Sequence, residues 1–168
     1  MVEGWFFATA ALLVVSGINK LLDPTPTAGA LRIAGLIHHT VAVAALAIAE
    51  IVVGAGSLIF GRPFFGWAQA LIYGGFAAFV VVALMRRIPL ASCGCFGKTD
   101  SPPTWLHVIV NVTAAFGAIV FALSNLGGIG SIVTSQPLAG LPYLGFVALG
   151  AYCLYLLLGD LPLLRTQT

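Results

Sequence analysis

Apolar residues run almost unbroken along most of this chain, and the interruptions are short and recur at intervals suited to membrane spans. Runs of about twenty apolar residues are what a helix needs to cross a bilayer. Such runs are predicted over residues 4–22, 40–60, 64–85, 105–124 and 141–159. Each stops at polar or helix-breaking residues: Asn19, Lys20, Asp23 and Pro24 after the first, Gly61-Arg62-Pro63 after the second, Arg86-Arg87 after the third. The runs are continuous rather than alternating, which excludes a membrane β-barrel. Unpaired amides are costly in hydrocarbon, so the spans must be helical. Thr27 to His39 is apolar but short and carries Arg32 and His38-His39. It is expected to lie at the interface or dip into it. The predicted fold is therefore all-α, a polytopic membrane helix bundle in one transmembrane domain over residues 1–168, with a polar loop at 88–104.

Composition agrees. Charged residues make up 7% of the chain, against about 25% in an average soluble domain, too few to cover a water-facing surface. The N-terminus lacks the cationic start of a signal peptide and carries Glu3 instead, so it reads as a retained first helix. A net charge of +2 gives no footing for nucleic acid. The small residues Ala42, Ala45, Ala49, Gly74, Gly75, Ala114 and Ala118 allow close helix approach.

Alternating spans place the first and third inter-span connections on one face. That face carries Lys20, Arg32, Arg86, Arg87, Lys98 and Arg165, six of the seven cationic residues. The positive-inside rule would put it in the cytoplasm. The same face gathers Asp23, His38, His39, Cys93, Cys95 and His107.

Cys93-Gly94-Cys95, in the polar loop, is the feature richest in chemistry. Bridged cysteines have Cα atoms about 5.5–6 Å apart, so a bridge across one residue needs a sharp bend, which Gly94 permits. A strained bridge is more easily reduced and suits a dithiol that passes electrons. Arg86, Arg87, Lys98 and His107 would favour the attacking thiolate. Two other readings stay open: a structural or incidental pair, and a metal pair in which Cys93, Cys95 and some of His38, His39 and His107 bind zinc or Cu(I). Cys153, inside the fifth span, reads as a small core residue. Glu50 lies halfway along the second span, where an ionisable group should face the bundle interior. Tyr73 is the first expected partner and Asn111 the second. With Thr113, these residues would make a polar track toward the cysteines. A protonated carboxyl that simply joins two helices is the plainer reading.

The run Ser16-Gly17-Ile18-Asn19-Lys20-Leu21-Leu22-Asp23-Pro24 resembles the G-x-x-K-L-x-D-P signature of DoxX-like membrane proteins. Ser92-Cys93-Gly94-Cys95-Phe96-Gly97 resembles the Cys-Gly-Cys-Phe-Gly loop of the methylamine-utilisation family MauE. Over roughly the first 125 residues the chain is similar to this MauE/DoxX group. The resemblance implies a four-helix core, to which the fifth span is an addition. It also implies a role near disulfide chemistry: maturation of disulfide-rich proteins such as methylamine dehydrogenase, beside a thioredoxin-like partner. In some relatives a quinone takes part. The family's disulfide role lies outside the cytoplasm, opposite to the charge count.

The expectation is a membrane thiol-redox protein. Cys93 and Cys95 would exchange a disulfide, with onward transfer to or from a quinone. Lys20, Asp23, Arg32, Glu50, Tyr73, His107 and Asn111 would support them, with Lys20 beneath the cysteine loop. The alternatives are a metal or small-solute carrier, and a non-catalytic subunit held by other subunits of a membrane complex.

Overall fold

The computed structural model describes residues 2–36, 39–90, 102–124, 127–130 and 137–159. Cys93, Cys95, Lys98, His38 and Arg165 lie outside the described residues. Six helices are described: α1 (Val2–Leu22), α2 (Thr25–Ile33), α3 (Thr40–Phe60), α4 (Pro63–Met85), α5 (Trp105–Leu123) and α6 (Pro137–Gly159). α1, α3, α4 and α5 are long and apolar enough to cross a membrane. α6 stands where the fifth span is predicted, and its apolar stretch is Pro142–Leu158. No strand occurs among the described residues.

α1 is the central helix. Of its apolar stretch 56% is buried inside the protein, against 28% for α4, because α3, α5 and α6 all pack on it. α1 and α3 run antiparallel in very close contact. A Cβ added at Gly17 would lie 2.6 Å from the Ala47 carbonyl oxygen, and one at Gly54 would lie 2.6 Å from that of Ala10. Only glycine admits an approach this close. α4 and α5 form the second antiparallel pair, with Gly66 against Ala118 and Ala122. At the opposite end of the bundle from Lys20, Phe6 stacks on Phe121 with ring centroids 3.8 Å apart, and Phe7 meets Phe121 edge-on at 5.6 Å. Val147 of α6 joins that cluster.

The α3–α4 turn is tight, as predicted. Gly61 adopts φ +55 and sits against Gly128. Phe60 and Phe65 stack beside it at 5.9 Å, as an interfacial aromatic belt would. Outward-facing Leu22, Val41, Phe64, Leu71, Met85 and Phe146 are all more than 70% exposed, a surface that suits lipid and not water.

α2 has nine residues, about 13 Å of helix at 1.5 Å per residue, too short to span. Asp23 starts it, its carboxylate accepting from the Thr25 backbone N–H at 3.2 Å and from the Thr25 hydroxyl. Ala30 then buries against Ala83 and Leu90. Cys153 is exposed on α6, which corrects its reading as a core residue. Only one flank of α6 faces α1, through Val147, Leu154 and Leu158, and position 153 lies off it.

Candidate functional site

The antiparallel pairs set the end of α1 beside the start of α3, and the end of α4 beside the start of α5. The α1–α3 connection, the end of α4 and the start of α5 therefore lie at one end of the bundle. Below that end lies a buried polar cluster.

Its centre is an ion pair. Lys20 Nζ lies 2.9 Å from Glu50 Oε2, and both side chains are wholly buried. Glu50 is the middle residue of α3. Lys20 sits in the last turn of α1 and extends inward to reach it. Ser16, one turn back on α1, completes a triangle: its hydroxyl donates to Glu50 Oε2 at 2.7 Å and accepts from Lys20 Nζ at 2.6 Å. The spacing of Ser16 and Lys20 puts them on one face of α1, and Gly17 lets that face close on Glu50. The Phe76 ring of α4 lies 5.3 Å from Lys20 Nζ, a cation–π distance. Glu50 Oε1 has no hydrogen-bond partner among the described residues.

Next to this pair is a small cavity of about 10 Å³ with an almost wholly apolar surface, where Ser16, Tyr73, His107 and Asn111 meet Leu12, Leu13, Phe76 and Leu158. His107 is 1% exposed and Asn111 5%. His107 forms a capping box with Thr104. The Thr104 hydroxyl accepts from the backbone N–H of His107, and the Thr104 backbone N–H donates to His107 Nδ1 at 3.3 Å. The Thr104 hydroxyl also lies 2.9 Å from Nδ1. A backbone N–H can only give a hydrogen, so Nδ1 is an acceptor and the ring hydrogen of neutral His107 is on Nε2. A second polar group lies deeper: Gln69 donates to Thr9 Oγ1 at 2.9 Å and to the Phe6 carbonyl at 3.2 Å.

Of the predicted site residues, the fold brings together Lys20, Glu50, Tyr73, His107 and Asn111. Two details differ from expectation. The partner of Glu50 is Lys20 with Ser16, whereas the Tyr73 hydroxyl donates to the Thr9 carbonyl at 2.7 Å. Tyr73 directs its hydroxyl to Thr9, about two helical turns before Ser16 on α1. Lys20 pairs with a carboxylate inside the bundle, that of Glu50, and the Asp23 carboxylate accepts from Thr25 at the start of α2. Arg32 and His39 are exposed and stand apart from the cluster. Among the described residues there is no group of three or more His, Cys, Asp and Glu placed to hold a metal. Ser16, Thr104 and Phe76 were not predicted as site residues. For Ser16 the signal was the i, i+4 spacing to Lys20.

The family model described as Methylamine utilisation protein MauE matches residues 2–125, from the start of α1 to just beyond α5. No curated protein and no solved structure matches the chain.

Proposed function

The chain belongs to the MauE family, and from that premise we propose that it is a membrane thiol-redox protein serving methylamine utilisation. Four candidate spans and the family match make it a multi-pass membrane protein. The observation that carries the proposal is the Cys93-Gly94-Cys95 sequence between α4 and α5. The helix ends that flank it, the end of α4 and the start of α5, lie on the side of the bundle toward which Lys20, Asn111 and His107 are placed, above Glu50 in an otherwise apolar core.

In the proposed reaction one cysteine thiolate attacks a disulfide of a thioredoxin-like partner. A mixed disulfide forms and a partner thiolate leaves. The second cysteine then displaces the partner, closing the Cys93–Cys95 bridge. The partner gains two electrons and two protons and becomes a dithiol. The bridge returns to the dithiol by passing its disulfide to a client dithiol, which becomes oxidised, or by taking two electrons and two protons from a membrane quinol, which becomes the quinone. Disulfide-rich proteins of methylamine metabolism are the proposed clients.

Trapping tests the reading. Cys95→Ser and Cys93→Ser variants leave a single loop thiol that stalls the exchange. One of them should accumulate a mixed disulfide with a thioredoxin-fold protein in membranes, absent from the double variant. If neither single variant forms an adduct that reductant releases, the thiol-exchange reading is wrong.

A further inference from the structure

α3 and α4 lie close together near the Gly61 turn, where a Cβ added at Gly56 would overlap the Phe65 ring. Toward the other end they part. The gap is a cleft of about 350 Å³, with Leu46 of α3 on one side, Ile72, Phe76 and Phe79 of α4 on the other, and Leu31 and Leu36 at the end where α2 lies. Among the described residues that line it, Thr27 alone has a polar side chain. The volume falls in the ~300–1,000 Å³ range of ligand sites. The cleft opens sideways, since Leu71 at its lip is 79% exposed, and a Cβ at Gly75 on its floor would meet nothing within 4 Å. An apolar groove open at the depth of the hydrocarbon takes an apolar ligand. The rim indicates what the ligand carries at its polar end. Arg32 follows Leu31 on α2 and is exposed. Ile72, Phe76 and Phe79 share a stripe of α4 at helical spacing, and two turns beyond Phe79 that stripe reaches the exposed Arg86, with exposed Arg87 beside it. Ala30 of α2 buries against Ala83 and Leu90, so α2 and the end of α4 bring these cations to one end of the cleft. α2 has no acidic residue, and the Asp23 carboxylate before it accepts from Thr25.

We propose that this cleft binds one anionic phospholipid, with an acyl chain between α3 and α4 and the phosphate at Arg32 and Arg86. Guanidinium groups match phosphate oxygens with paired donors, and basic pockets beside membrane helices hold anionic head groups. A zwitterionic lipid brings its own cation beside the phosphate and gains less from the two arginines. The site also touches the buried ion pair. The Phe76 ring that walls the cleft lies 5.3 Å from Lys20 Nζ. A chain seated in the cleft covers the outer side of that ring and keeps water from the Lys20–Glu50 pair behind it.

This site does not rest on the thiol-redox reading, and Cys93→Ser with Cys95→Ser should leave lipid binding unchanged. The full chain in a neutral detergent is titrated with dioleoyl phosphatidylglycerol and, separately, with dioleoyl phosphatidylcholine. Native mass spectrometry counts the one-lipid complex. We expect phosphatidylglycerol to bind tighter by about tenfold or more, and Arg32→Gln with Arg86→Gln to erase the preference. Gly75→Leu, which fills the floor of the cleft, should weaken binding of phosphatidylglycerol by about tenfold or more. Gly74→Leu adds the same side chain at the neighbouring exposed position, outside the cleft lining, and should leave binding as it is. Phosphatidylglycerol with a photoreactive diazirine in its acyl chain should mark peptides from 27–36 and 71–79. Equal binding of the two lipids by the unmodified chain overturns the proposal and leaves the cleft to a neutral chain. Binding that survives Gly75→Leu overturns it too, and assigns the lipid to the general bilayer-facing surface.

Discussion

Lys20 and Glu50 are the residues whose placement departs furthest from what an apolar bundle prefers. Two charges removed from solvent lose hydration worth several kcal/mol each, and their attraction offsets this only with good geometry. The 2.9 Å contact and the shared Ser16 hydroxyl supply that geometry. Removing one partner leaves the other charge uncompensated. Lys20→Met alone and Glu50→Leu alone are each expected to destabilise the bundle by ~3–5 kcal/mol. The double variant should cost much less than the sum. Denaturation in mixed micelles measures all three, and additive losses would show that the pair is not coupled. The need of Glu50 for an interior partner was legible from its position in the run. The identity of that partner was not. Matching residues by depth favours Tyr73, but a lysine one turn from a helix end can extend inward as well as toward water. Which way it goes depends on how closely α1 and α3 approach.

At the scale of elements, that approach is governed by glycines. A methyl group at Gly17 or Gly54 would meet a backbone carbonyl of the neighbouring helix at 2.6 Å, while one at Gly74 meets nothing within 4 Å. Gly17→Ala and Gly54→Ala are expected to force α1 and α3 apart and cost ~1–3 kcal/mol through overpacking. Gly74→Ala, on an open face of α4, should be neutral or stabilise by up to about 1 kcal/mol through helix propensity. The same denaturation assay ranks them. Equal effects at the three positions would remove the close-approach argument. The helix limits themselves were largely readable, because proline, glycine and charge punctuate the apolar runs. α3 occupies 40–60 as predicted. α4 and α6 start earlier than predicted, at Pro63 and Pro137, because proline is well suited to the first helical turn. The small residues of the runs were visible as a class. Which of them face a neighbour depends on the tertiary pairing of α1 with α3 and α4 with α5.

For the whole molecule, the two antiparallel pairs set one end of the bundle apart. The α1–α3 connection, the end of α4 and the start of α5 lie at that end, and the Gly61 turn lies at the other. A cysteine introduced at His39 should therefore be labelled by a membrane-impermeant reagent from the same side as Cys93 and Cys95, and one at Arg62 from the opposite side. Labelling of His39→Cys and Arg62→Cys from one side would break the topology. The measurement also decides between the two orientations that charge count and family role suggest. The central claim is that Cys93 and Cys95 form a working redox couple. It is tested most directly by equilibrating membranes with a series of thiol redox buffers, trapping free thiols, and reading the Cys93–Cys95 peptide by mass spectrometry. The account predicts a reversible two-electron transition confined to that peptide, with Cys153 unchanged. Cysteines that stay reduced in the most oxidising buffer would contradict it.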